Sequence, residues 1–331
     1  MSAPSTPIYR KHGFTIALLL VLVLAATCPE PGVEGGALRS EWTTKLGVWI
    51  IFFLQGLSHP GRDLAKGYRP LRLQAFVIVW NYLLFPLVAI AFVVCFGRWL
   101  PEGISIGLGL LSILPTTIAS AVAFTNLAGG RTASAICATV VSNLLAVISV
   151  PVWVAAYLNA GGSVELPLLP LLGKLTLLIV FPMIAGQALR MVVLPVAESA
   201  AKWTRPVSSL IILFIVYAAI ADSVVAGQFH AFSWLELASL MLATTGLLLL
   251  VSGLVWFSSA TLKFSPAERL ATFFCASQKS LATGLPLATT IFAALPDNVS
   301  VQSGALLLPL IVYHPIQLIL AALWAERCAR N

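Results

Sequence analysis

The sequence predicts an all-α polytopic membrane protein built from ten membrane-crossing segments. Three observations carry this. Of the 331 residues, 59% are hydrophobic and only 9% charged, against roughly a quarter charged in soluble domains; mean hydropathy is +0.97. Apolar windows of about 20 residues, the length that crosses a bilayer as helix, succeed one another with short connections. No polar stretch is long enough to build an extramembrane domain. The net charge of +7 is then a matter of loop composition, since cytoplasmic loops collect Lys and Arg, and no nucleic-acid partner is expected.

In order, the segments fall at about 13–29, 44–58, 73–97, 103–127, 132–158, 167–190, 205–226, 232–258, 268–294 and 299–323. The first needs a separate argument. Arg10-Lys11, an apolar run from Phe14 to Ala26 and then Cys28 imitate a cleaved leader, but the ten-segment topology requires this stretch, so it is expected to remain as a helix. Turn-forming groups punctuate several connections: His59-Pro60-Gly61, Gly129-Gly130, Gly161-Gly162 and Pro296-Asp297-Asn298. Gly103 and Gly107, four apart, fit a helix-packing motif.

Charge sets the orientation. With the N-terminus cytoplasmic, the inside regions hold fourteen basic residues: Arg10, Lys11, Arg62, Lys66, Arg69, Arg72, Arg131, Arg190, Lys202, Arg205, Lys263, Arg269, Arg327 and Arg330. The outside regions hold three, Arg39, Lys45 and Arg98. The positive-inside rule therefore puts both termini in the cytoplasm, in a bacterial-type inner membrane. Lys174 and Lys279 complete the nineteen and lie within segments. Lys174 is near enough to its segment's outer end to snorkel.

Five plus five segments has a topological consequence. An odd number of crossings per half makes the second half enter the membrane from the opposite side. Residues 1–160 and 161–331 are then expected to be two inverted repeats. Matching interruptions support the division. Segment four is broken by Leu114-Pro115-Thr116-Thr117-Ile118-Ala119-Ser120, and segment nine, five places later, by Ser277 to Pro286. Gly/Pro-interrupted spans at corresponding positions point to a transport site.

Broken half-helices leave N–H groups that attract anions and C=O groups that attract cations. Side chains able to complete such a site are Asn81 on segment three; Thr116, Thr117 and Ser120 on four; Thr139, Ser142 and Asn143 on five; and Ser277, Gln278, Ser280 and Thr283 on nine. Their oxygens suit a hard cation, although each by itself also fits interhelical hydrogen bonding. Lys279 lies ten residues beyond Arg269, about 15 Å along a helix, too deep to snorkel. It could hold a substrate anion, exchange a proton, stand as a fixed cation, or simply pin the break. His314, in mid-segment ten, is a possible proton relay and, equally, a hydrogen-bonded structural residue.

Enzyme and metal signatures are missing. The five cysteines form no Cys-x-x-Cys pair, and no His-Glu-x-x-His, Gly-x-Ser-x-Gly or phosphate-binding glycine loop occurs. Neither catalysis, a metal centre nor a resident cofactor is expected.

Several stretches together resemble the bile acid:sodium symporter family: Phe53-Leu-Gln-Gly-Leu57, Leu114-Pro-Thr-Thr-Ile118, Ala128-Gly-Gly130, Cys275-Ala-Ser-Gln-Lys-Ser-Leu281 with Gly284-Leu-Pro286, and Leu308-Pro-Leu-Ile-Val-Tyr-His-Pro315. The resemblance is to the branch holding uncharacterised bacterial members and the seventh mammalian member of solute carrier family 10. It implies a core domain and a panel domain, with the fourth and ninth helices broken and crossing, and sodium-driven uptake of organic anions. It also implies cation-ligand roles for Asn81, Ser120, Thr139 and Gln278. This sequence departs from the family at several points, among them Ala135, with Ser134 adjacent, where a partner of Thr139 four residues earlier would stand. The asparagine after Ser120 is Ala121, the glutamate four before Gln278 is Phe274, and Lys279 adds a positive charge. An anionic ligand is lost and a cation gained, which argues against two conventional sodium sites. The expected function is secondary transport of small organic anions by alternating access with an altered cation site. The alternatives are a proton-coupled or uncoupled carrier, or a non-transporting regulator of ion homeostasis.

Overall fold

The structure is a computed structural model and describes residues 8–58, 67–160, 176–225, 233–292 and 303–330, with the single positions 170, 173 and 227. Every regular element among them is helical. The chain runs α1 (Ile8–Thr27), α2 (Ser40–Ser58), α3 (Leu71–Trp99), α4 (Glu102–Ile113), α5 (Ile118–Leu127), α6 (Thr132–Ala160), α7 (Thr176–Val192), α8 (Leu194–Val225), α9 (Trp234–Thr261), α10 (Pro266–Ser277), α11 (Leu281–Phe292) and α12 (Ser303–Arg330).

By length and apolarity, Leu71–Trp99, Thr132–Tyr157, Pro206–Val225, Trp234–Thr261 and Leu306–Ala329 are each able to cross a membrane. The pair α4 and α5, bent by 65° at its break, makes a sixth candidate, and Ile16–Thr27 and Thr176–Val192 are shorter apolar helices. Large apolar side chains such as Val94, Leu177, Leu210, Leu242 and Leu323 stay exposed. An integral membrane protein presents such a surface to lipid.

Local chemistry accounts for the helix limits. Ser233 and Glu236 form a capping box at the start of α9, and Ser265 and Glu268 form one at the start of α10, where Pro266 occupies the first turn. Just past the end of α5 stands Gly129, whose φ of +77° is left-handed backbone that glycine adopts without steric cost. Gly130 N then donates to Thr125 O at 2.7 Å, closing the helix end.

Two helices carry a π turn that the periodicity did not predict: Trp80–Leu84 in α3 and Thr176–Val180 in α7. Each is followed by Phe-Pro, at Phe85-Pro86 and Phe181-Pro182. Proline has no N–H to give the carbonyl four residues back, and its ring crowds that carbonyl. A one-residue widening relieves both. In α3, Phe85 N–H reaches Trp80 O, and Tyr82 O, which Pro86 cannot serve, accepts from Trp153 Nε1 at 2.9 Å.

The helices pack in two groups. α8 lies between α1 and α2, and α2 packs on α7. The second group joins α3, α4, α5, α6, α9, α10 and α12. α11 packs on both α8 and α12, and α12 also meets α8. α2 and α7 approach backbone to backbone: a Cβ on Gly56 would fall 2.0 Å from Met183 O, and one on Gly186 would fall 2.1 Å from Phe53 O. Gly107 similarly faces Leu306 O at 2.6 Å, so this member of the predicted packing pair lies against α12.

The helix limits correct the expected segments in places. α8 begins at Leu194, well before position 205, and the second break is shorter than its composition suggests. Only Gln278, Lys279 and Ser280 are unwound; Pro286 lies inside α11. In the first break Leu114 to Thr117 are unwound and helix resumes at Ile118, so Ser120 belongs to a helical first turn. Lys174 and the connections at 59–61, 161–162 and 296–298 lie outside the described residues.

Candidate functional site

The two breaks meet. Ser280 N donates to Pro115 O at 2.8 Å, and Lys279 Nζ donates to Leu114 O at 2.8 Å. Gly284 lies so close that a Cβ there would come within 2.7 Å of the Leu114 side chain. Unwound backbone inside a membrane protein must find partners within the protein, and here it does. Thr116 O accepts from Asn143 Nδ2 at 3.0 Å. Cys275 O accepts from Asn81 Nδ2 at 3.1 Å, and Ser277 O from Tyr313 OH at 2.9 Å. Gln317 holds the peptide of Lys279 from both sides: Lys279 N donates to its Oε1 at 2.7 Å, and its Nε2 donates to Lys279 O at 2.6 Å.

Lys279 is fully buried. Its Nζ donates to Leu114 O and, at 3.3 Å, to Asn81 O, and it sits 4.2 Å from the centroid of the Phe85 ring. Two carbonyl oxygens and an aromatic face are a cation's environment. The nearest structural equivalent of a counter-charge is absent: the one ion pair found among the described residues is Arg131–Glu268 at 3.0 Å, between the start of α6 and the start of α10. Phe274, where the resemblance implies a glutamate, is buried and its ring packs on Phe124 and Phe273.

The remaining polar side chains fall into two kinds. Some are spent locally. Ser277 Oγ donates to Phe273 O at 2.6 Å, Thr139 Oγ1 to Ile136 O at 3.0 Å, and Ser280 Oγ accepts from Thr283 N at 3.0 Å. Ser142 Oγ lies between Tyr82 OH, at 3.0 Å, and Asn81 Nδ2, at 3.5 Å. Others retain bonding capacity. Asn81 Oδ1, Thr116 Oγ1, Asn143 Oδ1 and Gln278 Nε2 are buried with no hydrogen-bond partner. Orphaned buried polar atoms are costly, and three of these four are oxygens that a cation or a donor could use. Ser120 Oγ donates to Gln278 Oε1 at 2.7 Å and lies 3.0 Å from Thr117 Oγ1. The Gln278 amide can present its oxygen instead by turning over.

The predicted residues gather around the crossing in small hydrogen-bonded groups, two of which need comment. Thr139 is linked through its backbone, whose carbonyl accepts from Asn143 Nδ2 at 2.7 Å. His314 stands behind the break: Gln317 Nε2 donates to its Nδ1 at 2.9 Å, and Phe14 of α1 touches its ring edge-on. On that geometry the proton of a neutral imidazole rests on Nε2. From the first group of helices, Gln55 Nε2 of α2 reaches Thr283 Oγ1 at 3.4 Å.

Sequence reasoning missed Gln317, Tyr313 and Phe85. A signal existed for the first two. Tyr313 and Gln317 are four apart, hence on one face of α12, and an amide in the middle of an apolar segment asks for a polar partner.

Comparison with known proteins places the chain in a family. Residues 12–330 match the model described as the SBF-like CPA transporter family. An uncharacterized protein of Pseudomonas aeruginosa is 34% identical over 327 residues, covering 99% of this chain and 96% of its own. YfeH of Escherichia coli, whose name marks it as a candidate symporter, is 32% identical over 325 residues, covering 96% and 93%. The sodium/bile acid cotransporter 7 of Danio rerio is 29% identical over 321 residues, covering 95% and 92%. With a full-length family match and relatives named as transporters rather than enzymes, the chain belongs to the SBF-like CPA transporter family.

Proposed function

We propose that the protein is a secondary transporter of small organic anions, working by alternating access at the crossed helix breaks. The observation that carries this reading is the contact of the two unwound segments, with a buried lysine amine and several unsatisfied polar atoms gathered around it. A purely structural crossing would gain by replacing those orphans with apolar groups. A transported ligand gives them partners in one state of the cycle.

The architecture fits the proposal. Each described break is a pair of short helices within one apolar segment. Read as ten segments, the helices divide into two inverted halves, 1–160 and 161–331, with the breaks in the fourth segment of each. The group of α1, α2, α7 and α8 then supplies the first two segments of each half and serves as the panel. The remaining helices serve as the core that carries the site. Rocking the panel against the core would open the crossing to either side. The Gln55–Thr283 contact spans that seam. The relatives named as sodium/bile acid cotransporters favour an organic anion as cargo. The family suggests sodium as the coupling ion, but Phe274 and Lys279 stand at its site, which favours a proton-coupled or uncoupled carrier.

The test is uptake into proteoliposomes of purified protein. Labelled bile acids and smaller organic anions would be offered under sodium, proton and voltage gradients. Accumulation above protein-free vesicles is expected. Gln278→Ala, which removes the bond to Ser120, should lower the initial rate about tenfold, the equivalent of one hydrogen bond of ~1.4 kcal/mol. No uptake under any gradient, by protein shown to be folded, would overturn the proposal.

A further inference from the structure

We propose that the Lys279 ammonium is a tethered substitute for a free monovalent cation, filling a cation site built from the carbonyls of Leu114 and Asn81, and that removing it creates a sodium-binding protein. The inference rests on the transporter reading for its meaning, but its evidence and its test are independent of transport.

The geometry is specific. Leu114 O belongs to the first break and is released from helical bonding there. Asn81 O lies in the π turn of α3, where the hydrogen-bond ladder is already shifted. Both point at one fully buried Nζ, at 2.8 and 3.3 Å. Carbonyls freed by broken membrane helices are where transporters coordinate their coupling ions, and here a covalently attached cation takes that position. No carboxylate accompanies it among the described residues, so its charge is balanced by dipoles alone, as a small alkali cation's can be. A second observation bears on the same place. Asn81 Oδ1, on the residue that supplies one carbonyl, and Thr116 Oγ1, two residues beyond the other, are buried and without partners. They are oxygens that a mobile ion could recruit and that the tethered ammonium leaves unused.

The consequence is a difference in ion dependence between the natural chain and its variants. With Lys279 in place, the site is filled at every salt composition. With Lys279→Ala or Lys279→Ser, the carbonyls of Leu114 and Asn81 lose their donor, and the orphaned oxygens of Asn81 and Thr116 belong to residues at or near those carbonyls. A ligand that binds only the folded protein stabilises it by mass action.

Thermal unfolding of detergent-purified protein in sodium, potassium or choline chloride at equal ionic strength tests this. The natural chain should unfold at the same temperature in all three. The two variants should unfold several degrees lower in choline, and a saturable addition of sodium or potassium should recover most of the loss. If a variant can be recovered folded from sodium-containing buffer but not from choline, the proposal also stands. A sodium-specific rise in the natural chain overturns it, as does a variant equally unstable, or unfolded, in all three salts. Because the readout is unfolding, these results are separate from success or failure of the uptake experiment.

Discussion

Gln317 grips the peptide of Lys279 through both ends of its amide, and this contact holds the second break in its unwound shape. Replacement by leucine keeps the volume but strands a buried N–H and a buried C=O, each worth about 1–3 kcal/mol when orphaned. Gln317→Leu is therefore expected to lower stability by roughly 2–5 kcal/mol, read as a reduced unfolding temperature. Gln317→Glu keeps the acceptor for Lys279 N but loses the donor to Lys279 O and His314 Nδ1, so its loss should be smaller than that of Gln317→Leu. Equal effects of the two variants would mean that the clamp is not what stabilises the break. The same residue shows the limit of reading side chains one at a time. Lys279 was legible from its depth in an apolar segment; its partners were not, because a carbonyl carries no sequence signature.

At the scale of the element, the helix ends and kinks follow from residue chemistry. The sequence Ser-x-x-Glu starts α9 and α10, glycine ends α5, and Phe-Pro follows both π turns. The close approach of α2 and α7 follows from the missing side chains of Gly56 and Gly186. Small residues let membrane helices pack backbone to backbone. In Gly186→Ala the new methyl meets Phe53 O, which is backbone and cannot rotate away. A loss of about 1–3 kcal/mol is expected, visible as a lower unfolding temperature and reduced folded yield in detergent. Gly253→Ala on α9 is the control. Nothing lies within 4 Å of its would-be Cβ, so it should be neutral or gain up to about 1 kcal/mol in helix propensity. Loss of equal size in both would point to a general intolerance of the helices.

At the scale of the whole molecule, orientation depends on charge in the loops. Fourteen basic residues against three predict that both termini lie in the cytoplasm. Fusing alkaline phosphatase to the C-terminus should give no activity in a bacterial cell, whereas a fluorescent protein fused there should be bright. An active phosphatase fusion would reverse the orientation and the assignment of inside and outside around the crossing. The two helix groups, joined where α8 meets α11 and α12 and where Gln55 meets Thr283, are the bodies whose relative motion the proposed cycle requires.

Composition alone determined that this chain belongs in a bilayer, because 59% hydrophobic residues cannot be buried within one soluble core. The spacing of apolar windows then located the helices, and prolines beside small polar residues located both interruptions. Each of these is a local property, written in consecutive residues. Tertiary structure decided what fills the crossing. It brought Pro115 to Ser280, Leu114 to Lys279 and Cys275 to Asn81, pairs separated by more than 150 positions, and it put Lys279 Nζ on carbonyl oxygens instead of beside a carboxylate. The physical reason is that backbone dipoles are the same at every residue. Which of them are freed, and toward what they point, is fixed only when the helices that break are packed against one another.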